Sequence, residues 1–421
     1  MLIINGDFID FLRVVYVPRL ETELVAWREL LRSIGIEMEV SELKSSIVEK
    51  ELTYGLRTND YKSVLKLEIV ANGHPAFFDA LAEWLGNGNR LVVVKGNHDL
   101  EWYWPPVRNY FRFVLAQRLA TQAGETDLKA LLEKTVLPNI TFIDDAMVLN
   151  EDFYIEHGHR YDKYAHVVGD AVRSPGDELN IPFGSFFNRY LLNDLELNYP
   201  FLDNVRPSTN ILPLLVRERL PVALNLLFRH IPFMFEIIPK GYFRYMFSQL
   251  FWFLLLVIIP VGLTVWLILG MFGLTPDLDP QASSQPHSVF YKPVLNALTS
   301  LGGMILSYVL ARFVSWLNLV EPSQLTEYAR EKLAEMHEYR LITFGHTHNP
   351  DQFRDGERWF YNTGTWIPIV ELSSASIRSD KTYTFLHLKP DRDGKLVGAL
   401  RRWDDTAGRT EGVVIMAPAG E

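Results

Sequence analysis

Leu91-Val92-Val93-Val94-Lys95-Gly96-Asn97-His98-Asp99 is the stretch that decides how this chain folds. Its apolar, β-branched half predicts a buried strand, and Gly96 marks a sharp turn at the strand's end. An amide, an imidazole and a carboxylate follow in succession, so one strand tip offers three groups that bind metals or move protons. The same plan recurs in Leu2-Ile3-Ile4-Asn5-Gly6-Asp7, in Phe153-Tyr154-Ile155-Glu156-His157-Gly158-His159, and in Leu341-Ile342-Thr343-Phe344-Gly345-His346-Thr347-His348. Four apolar runs ending in ligand-type residues imply one site assembled at the tips of neighbouring strands.

Working outward from the Leu91 run, residues 21–32 and 75–85 carry apolar positions at helical spacing, with Pro75 suited to a first helical turn. Strand, helix and strand in this order predict an α/β layered core. Residues 33–62 show no clear pattern. Further helices are expected at 110–120 and 127–134, and strands at 140–143 and 146–149. A charged amphipathic helix at 324–339 leads to the fourth ligand strand. Residues 383–388 and 396–401 read as an antiparallel pair, and the Gly- and Ala-rich end as a frayed tail.

With 421 residues the chain has room for two to three domains. A formal charge of -10 argues against a nucleic-acid partner, which requires a basic surface. The absence of cysteine removes disulfides and thiolate ligands. Any metal must be held by His, Asp, Asn or Glu, which favours manganese, iron or zinc.

Two stretches meet the length of about 20 residues that a membrane span requires. Residues 251–273 carry no charge, and residues 294–317 carry only Arg312. Arg229, Lys240 and Arg244 precede them and Arg330 and Lys332 follow, while the linker between them holds Lys292 as its one basic residue. The positive-inside rule then puts both outer flanks in the cytoplasm. The expected organisation is a catalytic core in two parts, 1–165 and 321–405. A helical insertion at 166–245 lies along the membrane or packs under the core, a transmembrane hairpin occupies 246–320, and 406–421 is a tail. The protein is expected in a membrane, multi-pass, with its catalytic domain cytoplasmic.

Hydrolysis of a phosphate ester at neutral pH needs charge neutralisation on the phosphoryl oxygens and a hydroxide nucleophile, and two nearby divalent metals supply both. Asp7 fits a bridging carboxylate. Asn97, His157, His346 and His348 fit terminal ligands, and His98 fits the proton donor. Asp99 is expected to orient His98, since an imidazole needs a partner that fixes its tautomer.

Gly6-Asp7, Gly96-Asn97-His98-Asp99, His157-Gly158-His159 and Gly345-His346-Thr347-His348 together resemble the ordered signature of the calcineurin-like metallophosphoesterase family. Within it, Gly6-Asp7-Phe8-Ile9-Asp10, His157-Gly158-His159 and Asn362-Thr363-Gly364-Thr365-Trp366 look most like the branch containing the UDP-2,3-diacylglucosamine pyrophosphatases. The resemblance covers 1–100, about 150–165 and about 335–390. It implies a four-layer αββα sandwich, interrupted here by the transmembrane hairpin, and two divalent ions, often Mn2+. It also implies that Asp7 bridges, that Asn97, His157 and His346 serve one metal, and that His348 serves the other. His98 would stabilise or protonate the leaving group. His159 is a candidate for substrate contact or for support of the ligands. Asn362 and Asp162 read as loop-fixing residues or, less directly, substrate contacts. Arg13 and Arg108 are surface charges or phosphate contacts, and residues 102–104 a packing or lid element.

The family opens with an Asp-x-His strand ahead of the Gly-Asp block, and none precedes Gly6 in this sequence. The expectation is a gene start placed too late, ahead of a genuine truncation. The fold would then lack its first strand, leaving a sheet edge exposed. Three functions follow: a membrane-anchored phosphoesterase acting on a phosphate ester or a lipid-linked pyrophosphate, a silent membrane protein with a remnant metal site, or a phosphoprotein phosphatase, since the metal core does not encode substrate choice.

Overall fold

A computed structural model describes residues 1–162, 165–173, 177–193, 205–206, 331, 335–367, 370–371, 376–377 and 382–413. They form a mixed α/β fold in which residues from 1–206 and from 322–421 gather into one compact unit. Strands β1 (Leu2–Asn5), β2 (Leu91–Val94) and β3 (Ile140–Ile143) make a parallel sheet in that order. Between β1 and β2 run α1 (Glu21–Ser33), α2 (Val40–Ser46), α3 (Glu51–Tyr54), α4 (Asp60–Gly73) and α5 (Pro75–Gly86). Helices α6 (Pro105–Ala123) and α7 (Leu128–Leu131) connect β2 to β3. All four β2 residues are buried, as a parallel strand covered on both faces requires.

Strand periodicity explains how the layers form. Ile4, Leu91, Val93, Ile140 and Phe142 face Phe78, Leu81, Phe111 and Leu115 of α5 and α6. Ile3 points the opposite way and packs with Phe153, Ile155, Leu341 and Tyr361. These last residues belong to a second sheet built from β4 (Ala146–Leu149), β5 (Phe153–Glu156) and, beyond the short β6 (Val205–Arg206), β7 (Leu341–Phe344), β8 (Asp351–Asp355) and β9 (Arg358–Asn362). Its order is β4-β5-β7-β9-β8, with β5, β7 and β9 parallel and both edge strands antiparallel. Tyr154, Ile342, Phe344 and Phe360 form an apolar cluster on its other face. Because β5 pairs with β7, the two ligand-bearing strands lie side by side although they are far apart in sequence.

The expected strands and the helices α1, α5 and α6 appear close to their anticipated bounds. The tail does not fray at once. After β10 (Val370–Glu371) and β11 (Ser376–Ile377), the strands β12 (Thr384–Pro390) and β13 (Leu396–Asp404) pair as expected, and Arg409–Gly412 adds β14 to β13. Arg402 pairs with Glu411 at 2.8 Å across that last hairpin. Most of the helix expected at 324–339, and both expected membrane spans, lie outside the described residues. No helix among the described residues is long and apolar enough to cross a membrane.

Helix α4 escaped the sequence pattern because charged residues occupy its buried positions. Lys62, Ser63 and Lys66 are all buried. Lys62 Nζ donates to Glu51 at 2.8 Å and to the Ser46 carbonyl at 2.7 Å. Lys66 Nζ lies 3.6 Å from Glu101 Oε1, an oxygen that has no hydrogen-bond partner. Burial, only partly offset by Glu101, pulls the Lys66 ammonium down to about 8. Removing one member of such a pair strands a buried charge, at a cost of about 3–5 kcal/mol, whereas apolar replacement of both is close to neutral or stabilising. Lys66→Met should therefore lower stability in urea unfolding by about that amount, and Lys66→Met with Glu101→Leu should restore it.

Candidate metal centre

The sheets bring the four ligand tips together. Asn5, closing β1, donates from Nδ2 to the Glu156 carbonyl at 2.8 Å, and its own carbonyl lies 2.7 Å from His157 Nδ1. Gly345 N–H donates to the His157 carbonyl at 2.9 Å, tying the tip of β7 to that of β5. Two glycines are required by crowding. A Cβ on Gly6 would fall on the His157 ring, and one on Gly96 would fall on the Asp7 carboxylate. Gly6 also has φ +82°. Asp7, His346 and His348 themselves adopt left-handed backbone, at φ 50°, 64° and 59°. Non-glycine residues there are uncommon and concentrate where a site holds side chains in fixed directions.

Asp7, His157 and His346 each present a ligand atom within 4.8 Å of the others. His157 donates its Nδ1 proton to the Asn5 carbonyl, so in the neutral ring Nε2 carries the lone pair, 3.0 Å from Asp7 Oδ2. That Nε2 is buried without a hydrogen-bond partner. His346 shows the mirrored arrangement: Nε2 lies 3.1 Å from Asp162 Oδ2, and Nδ1 is buried without a partner. Asn97 Oδ1 is a third buried acceptor with no donor. Buried polar atoms are nearly always satisfied. Unsatisfied acceptors on two residues of the trio fit a cation, and two donors at right angles, each about 2.1 Å from an ion, lie about 3.0 Å apart. Asn5 and Asp162 are then the outer partners that fix each imidazole's tautomer.

Charge couples the same groups to one another. Burial works to raise the Asp7 carboxyl, but the surrounding His157, His98 and His346 outweigh it and hold Asp7 well below its usual range. Burial works to lower His157, and Asp7 reverses the sign and raises it. His159 is pulled well below its ordinary value, by burial first and then by His157 and His346. Its ring lies 5.4 Å from that of His157, and its Nδ1 is buried and unpartnered.

One expected role is reassigned. Asp99 does not orient His98. The Asp99 carboxylate is fully buried and accepts from Gly96 N–H at 2.6 Å, Phe8 N–H at 2.7 Å and Trp102 Nε1 at 3.0 Å. It closes the turn of the Gly96–Asp99 loop onto the Asp7 loop, and burial together with the Asp7 charge pushes it up to about 7. The partner of His98 Nδ1 is Asp10, 2.9 Å away. The same Asp10 oxygen accepts Arg13 Nε at 2.9 Å. Burial opposes the charge on Asp10, but His98 first and Arg13 second hold its carboxyl below the usual range. The signal for Asp10 was present in the Gly6-Asp7-Phe8-Ile9-Asp10 block. What was missing was the short helical turn Phe11–Arg13, which folds Asp10 back towards His98.

The remaining candidates divide clearly. Asn362 is buried and braces the His346 loop, donating to the Gly345 carbonyl and to Thr347 Oγ1, both at 3.0 Å. Trp102 is a packing residue among Phe8, Phe11, Phe111 and Phe142. Arg108 is committed to the Trp102 carbonyl and Asp144. His348 is half-buried and stands outside the trio, and among the described residues no second group of three His, Asp or Glu donors is gathered at ligand distance. No protein-family model, no curated protein and no solved structure matches the chain significantly.

Proposed function

We propose that the chain is a metal-dependent phosphoesterase, anchored in a membrane by the apolar segments 251–273 and 294–317. The observation that carries this reading is the trio Asp7, His157 and His346, with unpartnered acceptors on both histidines, and His98, paired with Asp10, bonded to Asp7 through its N–H. Asp7, Asn97, His157 and His346 would hold one divalent ion, and Asp7 with His348 would contribute to a second, Mn2+ being the first candidate. When bound, the ions supply charge neutralisation on phosphoryl oxygens and acidify a water. The chain's own part is to fix the ligands through Asn5, Asp162 and Asn362, and to hold His98 by Nδ1 so that Nε2 faces the leaving group. A proton given by His98 Nε2 would let an ester bond break without expelling an alkoxide, or a pyrophosphate bond break without expelling a fully charged phosphate. The packing of Ile3 against the second sheet, with helices on the far face of the first, supports a four-layer αββα sandwich. The two apolar segments make a lipid-linked substrate the first choice.

A second reading, a membrane protein whose remnant site binds without turnover, is favoured because the trio is the one group of three His, Asp or Glu donors at ligand distance among the described residues. One preparation separates the two. The full chain should sediment with membranes after an alkaline wash and should hydrolyse bis(p-nitrophenyl) phosphate with Mn2+ but not with chelator. Recovery in the soluble fraction overturns the anchoring. Bound metal without turnover supports the remnant, and absence of both overturns the metal centre itself.

A further inference from the structure

Residues 177–193 belong to the stretch leading into the apolar insertion, and they are stitched to the core at both ends. Arg57 pairs with Glu178 at 2.6 Å, and Leu179 N–H donates to Thr58 Oγ1 at 2.9 Å. Further on, Arg189 donates to the carbonyls of Gly55 and Leu56 at 2.8 and 2.5 Å, and Asn193 Nδ2 to the Leu12 carbonyl at 2.6 Å. Between these anchors lies helix α8 (Phe183–Phe187), whose Ser185 is 1% exposed. Its Oγ donates to the Asn97 carbonyl at 3.0 Å.

That contact falls on the one peptide that matters most to the centre. The Asn97 carbonyl and the His98 N–H belong to the same planar unit and point in opposite directions. The N–H donates to Asp7 Oδ1 at 2.9 Å. Ser185 on one side and Asp7 on the other therefore clamp the Asn97–His98 peptide. Rotation of this plane would swing the Asn97 side chain, with its unpartnered Oδ1, and would withdraw the N–H that steadies Asp7. The hydroxyl also polarises the peptide, strengthening the N–H as a donor to the carboxylate. Ser185 lies 88 residues from Asn97 and outside every ligand block, so the clamp is a product of how residues 177–193 pack on the core.

We propose that Ser185 is a positioning residue of the metal centre, setting the Asn97–His98 peptide plane so that the segment entering the insertion governs metal affinity. The inference rests on the metal-centre reading above. It is tested on the full chain by calorimetric titration with Mn2+ alone. Ser185→Ala and the near-isosteric Ser185→Cys, which is a poor donor, should both raise the Mn2+ Kd by about 10-fold, the lower end of what loss of an outer partner costs a metal site. Glu178→Gln, on the same segment but away from the peptide, should leave the Kd unchanged. Equal Kd values for wild type and both Ser185 variants overturn the proposal. Equal weakening by Glu178→Gln overturns the assignment to Ser185, since the whole segment would then act as a brace. Loss in the alanine variant alone points to packing and also overturns it. A wild-type chain that binds no Mn2+ fails differently, because it overturns the metal centre on which the proposal rests.

Discussion

Asp7→Asn is expected to abolish tight Mn2+ binding while leaving the fold in place. Asp7 is the single carboxylate of the trio, with one oxygen 3.0 Å from His157 Nε2 and the other accepting His98 N–H at 2.9 Å. Asparagine keeps the shape and one acceptor, so the loop retains the His98 hydrogen bond. It removes the charge that His157, His98 and His346 together stabilise. The ligands left behind are neutral. Loss of an outer partner costs a metal site about 10–100-fold in affinity, so loss of the charged ligand itself should exceed about 100-fold. Calorimetric titration and the metal content after dialysis measure this, with urea unfolding as the control for the fold. An unchanged Kd would show that the trio is an ion pair with a neighbour and no metal site.

The second large effect separates His98 and its sequence neighbour Asp99 from Asp10, which reaches His98 from 88 residues away. His98→Gln should lower kcat by about 10²–10⁴-fold, the usual contribution of a positioned acid or base. Metal binding should survive, because His98 holds Asp7 through its backbone N–H, which the substitution keeps. Asp10→Asn should lower kcat by roughly 10–100-fold, again with the metal retained, since Asp10 acts by orienting the imidazole. Asp99→Asn should behave differently. Its carboxylate accepts three N–H groups while fully buried, and an amide would turn an NH₂ towards at least one of them. A buried unsatisfied donor costs about 1–3 kcal/mol, so the variant should be destabilised in urea and should bind Mn2+ more weakly as the loop loosens. If instead Asp99→Asn lowered kcat alone and Asp10→Asn only stability, the observed pairing would be wrong.

The tips were legible because metal chemistry needs particular residue types, and a glycine turn after an apolar run is a local signal. Gly6 and Gly96 carry their reason in space: each lies against a side chain from another strand, His157 for one and Asp7 for the other. Asp10 and Asp99 are both acidic residues in a ligand block, and sequence order alone favoured the one adjacent to His98. The Phe11–Arg13 turn chose the other. Helix α4 was hidden for a related reason: its buried lysines break the apolar period, and their partners Glu51 and Glu101 come from other parts of the chain.

The ends of the apolar runs at Gly6-Asp7, Gly96-Asn97-His98-Asp99, His157 and Gly345-His346 were determined by the sequence itself, because strand periodicity, turn chemistry and ligand type are properties of neighbouring residues. Which nitrogen each histidine offers, which carboxylate serves His98, and that Ser185 reaches the Asn97 peptide were decided only in the tertiary structure. Hydrogen bonds and lone pairs have direction. The partners that direct them, Asn5, Asp162, Asp10 and Ser185, sit 152, 184, 88 and 88 residues from the groups they orient. No local pattern encodes a separation of that kind; it is set by the order in which two sheets and a docked segment close around one site.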